Sequence, residues 1–126
     1  MADRFRVLVI DDDPGVRDYM EALVSRQGYR VHAAADGEQA LARLDDVRPD
    51  LVTLDVVLPG MNGFQATRAL SREPPTKSIP VLIVSTKGMD TDRAWGLRQG
   101  AKDYIVKPPS EDALIARIDR LLGTGA

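Results

Sequence analysis

The chain has 126 residues, 44% of them apolar, which is enough for one well-filled core and too few for two ordinary domains. With 17 basic against 19 acidic residues the net charge is −2, which argues against a general nucleic-acid or membrane binder, and the lack of cysteine removes disulfides, thiolate metal sites and cysteine nucleophiles. The start, Met1-Ala2-Asp3-Arg4-Phe5-Arg6, has no signal-like apolar stretch, and no run approaches the ~18 residues of a membrane span, so a cytoplasmic domain is the expectation.

Short apolar runs then alternate with helical patterns. Val7–Ile10 reads as the first strand. Asp13 is placed to cap a helix with Pro14 in its first turn, Val16, Met20, Leu23, Val24 and Gln27 mark one face, and Gly28 ends it in a left-handed conformation. Tyr29–Ala35 reads as a second strand. Asp36 caps a helix carrying Ala40, Leu41 and Leu44, and Pro49 closes the loop behind it. Leu51–Asp55 is the third strand, and Val56–Gly63, with Pro59, Gly60 and Gly63, is a loop by its turn chemistry. A helix over Phe64–Arg72 stops at Pro74-Pro75. Val81–Ser85, a helix through Trp95 and Leu97 to Gly100, Asp103–Val106, and a helix from Ser110 to Leu122 complete the pattern, with Gly123-Thr124-Gly125-Ala126 as a tail. Ser110-Glu111-Asp112 is a good helix start, and Leu114, Ile118, Leu121 and Leu122 repeat behind it. Strands nearly apolar throughout, rather than alternating, are expected where helices cover both sheet faces, and the connections are long enough for right-handed crossovers. The expected fold is α/β, a doubly wound (βα)₅ three-layer domain.

In such a sheet the carboxyl ends of parallel strands share one edge. Asp11 and Asp12, Asp55, Ser85 and Lys107 each fall at a strand tip, so they converge there. Three carboxylates, a hydroxyl and an ammonium suit a divalent cation and a phosphoryl group; Mg²⁺ takes one or two carboxylates, a carbonyl, waters and a phosphate oxygen. Asp55, left exposed beside the acidic pair by the Pro59–Gly63 loop, is a candidate nucleophile toward phosphorus. Singly, each residue has a plainer reading: helix caps for the acidic pair, a turn former at Asp55, a polar strand end at Ser85, a solvated charge at Lys107. A cis Lys107-Pro108 bond is a candidate at the turn that follows. His32 has no ligand partner at suitable spacing and reads as structural or surface. Trp95 is a candidate interaction anchor, and Arg68, Arg72, Arg93 and Arg98 read as a solvated helix surface.

From about Phe5 to Leu122 the chain resembles a response-regulator receiver domain of two-component signalling. The resemblance rests on Val7-Leu8-Val9-Ile10-Asp11-Asp12-Asp13-Pro14, on Asp55-Val56-Val57-Leu58-Pro59-Gly60-Met61-Asn62-Gly63, on Val84-Ser85, and on Gly100-Ala101-Lys102-Asp103-Tyr104-Ile105-Val106-Lys107-Pro108. It implies a flavodoxin-like sheet of order 2-1-3-4-5 and one receiver domain over residues 1–126. Asp55 would be the phosphoacceptor, and Asp11, Asp12, Asp55 and the Val57 carbonyl would hold Mg²⁺, with Mn²⁺ a possible substitute. Ser85, Thr86 and Lys107 would contact the phosphoryl group, and Ser85 and Tyr104 would form the switch, the tyrosine following inward once Ser85 is engaged. The implied partners are a histidine kinase and a downstream protein reached through the fourth helix, fifth strand and fifth helix; no nucleic acid or membrane is expected, and the chain would be a monomer or weak dimer. Asn62–Arg68 and Ile79–Lys107, including Thr91–Ala101, are similar to single-domain receivers of the chemosensory systems that control type IV pili and twitching motility.

Two positions depart from well-studied chemotaxis receivers. Serine stands at 85 where threonine is commoner, and Val57 is apolar where some relatives carry a polar side chain that positions attacking water. The expected function is a phosphorylation-activated switch that catalyses only its own phosphorylation and dephosphorylation. The alternatives are a phosphate sink for a kinase, or a Mg²⁺-dependent aspartyl-phosphate hydrolase, whose common form needs an aspartate where Val57 stands.

Overall fold

Each strand of the sheet is short and followed by a helix, and the strands are largely apolar and buried except for the edge strand that carries Arg30 and His32. The computed structural model describes residues 5–124; the tail residues Gly125 and Ala126 and residues 1–4, which include most of the N-terminal stretch read above, lie outside them. The strands are β1 (Arg6–Ile10), β2 (Arg30–Ala34), β3 (Leu51–Leu54), β4 (Val81–Ser85) and β5 (Asp103–Val106). The helices are α1 (Pro14–Arg26), α2 (Gly37–Val47), α3 (Gly63–Arg72), α4 (Asp90–Arg98) and α5 (Glu111–Leu122). All pairings are parallel, and the order is β2-β1-β3-β4-β5, the doubly wound flavodoxin-like arrangement.

Caps begin four of the helices, each satisfying backbone N–H groups that have no partner within the helix. The Asp13 carboxylate accepts from Gly15 and Val16, Asp36 from Gln39 and Ser110 from Ala113. Asn62 and Gln65 cap α3 reciprocally, each side chain accepting from the other's backbone N–H at 2.9 Å. Helix α4 starts differently. Met89 offers no cap, and Asp92 reaches back to the Met89 N–H. Gly28 is left-handed as expected, at φ 95°, but Gln27 is the exposed C-cap of α1 rather than part of its apolar face.

Strand alternation sends side chains to two cores. Val7, Val9, Leu51, Leu82, Val84 and Ile105 meet Met20, Leu23, Leu114 and Ile118 of α1 and α5. Leu8, Ile10, Val52, Leu54, Ile83 and Tyr104 face the other way, toward Ala40, Ala66 and Leu70 of α2 and α3. Helix α4 lies on this second face and buries a single residue, Gly96. A Cβ there would stand 2.8 Å from Ile83 Cδ1 and 3.1 Å from the Tyr104 ring, so the glycine is what lets the helix approach. Among the described residues no helix is long and apolar enough to cross a membrane.

Candidate phosphoacceptor site

Register brings the strand tips together. Ile10 pairs with Leu54 and with Ala34, so the next residues, Asp11 and Asp55, emerge side by side at the centre of the sheet edge. The ladder continues one step past the strands: Asp55 N–H donates to the Ile10 carbonyl at 3.2 Å, Asp11 N–H to Ala34 at 3.1 Å, and Lys107 N–H to Ser85 at 2.8 Å. The site residues are therefore held by backbone hydrogen bonds of the sheet rather than by free loops.

Asp11 and Asp55 are buried, at 2% and 7% exposure, and Asp12 stands exposed at the rim. This corrects the expectation of an exposed Asp55. Gly63 folds the β3–α3 loop back so closely that a Cβ on it would lie 2.1 Å from the Asp55 carbonyl oxygen, and the Lys107 ammonium lies against the carboxylate itself. Oxygens of Asp11, Asp12 and Asp55 nevertheless all come within 4.8 Å of one another, so both members of the adjacent acidic pair reach the crevice. Hard carboxylate oxygens at that spacing fit a small divalent cation.

Lys107 is the cation already standing there. Its ammonium donates to Asp11 Oδ2 at 2.6 Å and to Asp55 Oδ2 at 2.9 Å, with its side chain 10% exposed. Burial alone would lower its pKa, but the hydrogen bonds to Asp11 and Asp55 and their charges outweigh that and hold it above 10.5. The Asp55 Oδ1 accepts from the Val57 N–H at 3.2 Å, and Asp11 Oδ1 from the Asp13 N–H at 3.0 Å. The Lys107-Pro108 peptide bond is cis.

Ser85 is fully buried, and its Oγ accepts from the Lys87 N–H at 3.2 Å. Thr86 is exposed and lines a small apolar hollow of about 270 Å³ with Val16, Tyr19, Lys107, Pro108 and Pro109 at the mouth of the site. Val57 is 52% exposed. Tyr104, expected to move inward only after Ser85 is engaged, is already inside at 2% exposure, its hydroxyl donating to the Lys87 carbonyl at 2.5 Å. The missing side chain of Gly96 leaves room for the ring, and the Lys87 carbonyl satisfies its one polar atom. Burial raises the Tyr104 pKa, Ser85 opposes this, and the charges of Asp92 and Asp55 add to it.

Several supports were not foreseen in the sequence. Arg17 donates to the Asp11 carbonyl at 2.7 Å, and Glu38 of α2 accepts from Met61 N–H at 3.1 Å, tying down the β3–α3 loop. Only the pairing of an acidic residue near a helix start with a glycine-rich loop could have hinted at the second. Arg93 is not simply solvated: its guanidinium lies 5.9 Å over the Tyr104 ring. His32, on edge strand β2, is half-buried and away from the crevice; burial, then the charges of Arg43, Arg6 and Arg30, lower its pKa.

Residues 7–119 match the family described as response regulator receiver domain. The chain is 43% identical over 117 residues to protein PilH of Pseudomonas aeruginosa, covering 93% of this chain and 97% of that protein. It spans about half (48–52%) of the longer regulatory proteins it also matches at 37–42% identity. Among solved structures, a putative response regulator from Chloroflexus aurantiacus superposes with TM-score 0.91 at 33% identity, over 94% of this chain and 98% of that one. The receiver domain of sensor histidine kinase PA1611 from Pseudomonas aeruginosa superposes with TM-score 0.86 at 29% identity, over 94% and 98%, and carries a magnesium ion coordinated in its active-site cleft.

Proposed function

The chain belongs to the response-regulator receiver family, and we propose that it is a switch whose phosphoacceptor is Asp55. Receiver domains take a phosphoryl group from histidine kinases and act on downstream effectors. The observation that carries the assignment of Asp55 is its carboxylate, buried at the end of β3, with the Lys107 ammonium 2.9 Å from one oxygen and the Val57 N–H 3.2 Å from the other. In the transfer, a carboxylate oxygen forms the new P–O bond as the P–N bond of a phosphohistidine breaks, leaving an acyl phosphate on Asp55 and a free imidazole on the donor.

Asp11, Asp12 and Asp55 are the side chains that would hold Mg²⁺, with the Val57 carbonyl as a further ligand; Mn²⁺, another oxygen-preferring cation, would serve in its place. The fit is supported by the 4.8 Å cluster of their oxygens and by the ammonium that two of them already hold. When bound, the ion supplies neutralisation of charge on the transferred group and its orientation. Lys107 then has an anionic phosphoryl oxygen to contact in place of a carboxylate, and Ser85 and Thr86 are the hydroxyls at hand on the β4 side.

The output we propose runs through Ser85, the β4–α4 loop and Tyr104 to the face of α4, β5 and α5, where a downstream protein binds. Because Tyr104 is already buried, the movement is not an inward swing of the ring but a shift of the β4–α4 loop that holds its hydroxyl, and of α4 with it. Identity to PilH, together with the resemblance of Asn62–Arg68 and Ile79–Lys107, supports a place in type IV pilus or chemotaxis signalling. Monomeric behaviour, or weak dimerisation, goes with this reading. Hydrolysis of external phosphate esters is disfavoured by Val57, which has no proton to give a leaving group.

Intact-protein mass spectrometry after incubation with Mg²⁺ and a small phosphodonor tests the assignment. Wild type should gain the mass of one phosphoryl group, and should gain none when Mg²⁺ is chelated beforehand. Asp55→Asn should fold and gain none, since its amide is nearly isosteric but a poor nucleophile. A comparable gain in that variant would place the acceptor elsewhere.

A further inference from the structure

We propose that the groove between α3 and α4 is a docking site for an acidic polypeptide segment of a partner protein, held by Arg68, Arg72 and Arg98 around Trp95. The groove has a volume of about 370 Å³, is open to solvent, and is lined by Arg68, Arg72, Trp95, Arg98 and Gln99. Three of those five side chains are cationic and none is acidic, on a chain whose net charge is −2. Among the described residues the three arginines take part in no ion pair; the arginines that do are Arg26, Arg117 and Arg120. The Trp95 indole is 47% exposed, and the guanidinium placed over an aromatic ring belongs to Arg93, on Tyr104.

A plainer account covers part of this. Arg72 and Arg98 sit in the last turns of α3 and α4, where a cation offsets the helix dipole. That leaves Arg68 in the middle of α3 and the half-bare indole unexplained. It also does not explain why all three charges face one groove rather than scattering over the two helices. Charge complementarity therefore specifies an anionic occupant. Guanidinium forks match carboxylates in pairs, and Arg and Trp are the residue types that dominate binding energy at protein interfaces. The shape favours a polypeptide over a nucleotide. The groove is shallow and lies along two helix flanks, with neither the enclosure of a small-molecule pocket nor a glycine-rich loop to wrap phosphates. The groove lies between α3 and α4, so it shares α4 but neither β5 nor α5 with the face proposed above for output, and its occupancy is tested on the unphosphorylated protein.

Trp95 is the one tryptophan of the chain and reports occupancy without a label. Its emission would be followed while the whole protein is titrated with a short acetylated peptide of glutamates with leucines at helical spacing, with no phosphoryl donor present. A saturable change that weakens as salt rises is expected. Arg68→Glu combined with Arg72→Glu should weaken binding by at least about tenfold. These side chains are exposed and unpaired, so the double variant should fold; if its circular dichroism shows otherwise, Arg98→Gln, expected to weaken binding severalfold, decides instead. Absence of a saturable change would overturn the proposal, as would equal affinity in wild type and the folded variant. Inorganic polyphosphate or ATP displacing the peptide at matched charge and lower concentration would also overturn it, by assigning the groove to phosphate ligands. Failure of the Asp55 experiment would leave this result untouched, and the reverse holds equally.

Discussion

Replacing Lys107 by methionine would remove an ammonium while keeping the length and apolar body of its stem. The loss falls on two carboxylates at once, Asp11 Oδ2 at 2.6 Å and Asp55 Oδ2 at 2.9 Å, whose side chains are 2% and 9% exposed. Removing one partner of a buried ion pair costs about 3–5 kcal/mol because the remaining charge is uncompensated. Water reaches this crevice past the exposed Asp12, so the lower end, about 3 kcal/mol, is expected. With a urea slope of ~1.5 kcal/mol/M the unfolding midpoint should fall by about 2 M in a chelating buffer. Added Mg²⁺ should restore much of this, and stabilise the variant more than wild type, since in wild type the ammonium and the metal compete for the same oxygens. A cation at about 100 times its dissociation constant contributes ~2.7 kcal/mol by mass action. Urea melts of both proteins, with chelator and across an Mg²⁺ series, provide the measurement. The reasoning fails if the two midpoints coincide without Mg²⁺, or if Mg²⁺ raises them by equal amounts.

Three further outcomes follow from single residues. Thr53, buried in β3 at 1% exposure, has a hydroxyl without a hydrogen-bond partner among the described residues; Thr53→Val removes that unpaired group at nearly constant volume and should stabilise by about 1 kcal/mol in urea melts, whereas a loss of that size would show that the hydroxyl is paired. His32 is held below its ordinary pKa of 6.5 by burial and by Arg43, Arg6 and Arg30, so the folded state resists its protonation: its contribution to stability is complete above about pH 6.5 and is lost as pH falls below it. His32→Gln should therefore flatten the fall in urea midpoint between about pH 7.5 and about pH 5.5, and an unchanged slope would remove His32 as its source. Val57, half-exposed beside Asp55, cannot hydrogen-bond an attacking water; Val57→Asn should shorten the phosphorylated lifetime about tenfold at matched Mg²⁺, as ~1.4 kcal/mol of positioning would, and decay of the label at the wild-type rate would place control of the lifetime elsewhere.

What could be read in the sequence was whatever depends on chain order and alternation. Val7–Ile10 and Val81–Val84 are apolar throughout and Leu51–Leu54 is so but for Thr53, and a parallel sheet with both faces covered is the ordinary reason for that. Once those strands are parallel, Asp11, Asp55, Ser85 and Lys107 must share an edge whatever their rotamers. The details that escaped depend on rotamers and on helix rotation. Nothing in the order of residues says that Lys107 turns back onto two aspartates, or that Gly63 returns against the Asp55 backbone. Tyr104 could have pointed in or out; the choice is set by Gly96, eight residues away and read as nothing more than part of a helix. Trp95 and Arg68 are distant in sequence, and only the azimuth of α3 against α4 places them on one groove.

Helix α4 is the element on which these details bear. An amphipathic helix usually buries a stripe of side chains, yet α4 buries Gly96 alone and leaves Trp95 and Leu97 47% and 50% exposed. Its hold on the sheet is a backbone-close contact with the Tyr104 ring and Ile83, which involves little apolar area and tolerates little displacement. The same ring is anchored at its other end to the Lys87 carbonyl, and the Lys87 N–H is anchored to Ser85 Oγ. A group that drew the Ser85 hydroxyl toward Asp55 would release the Lys87 N–H, shift the carbonyl of the same residue, and unseat the Tyr104 hydroxyl. The helix resting on that ring through a glycine could not keep its place. Elements held by few buried contacts have low local stability and are the ones a local event can move. The near absence of buried side chains on α4 is thus a physical reason for a charge arriving at Asp55 to be felt there, ahead of the four helices that carry full apolar faces.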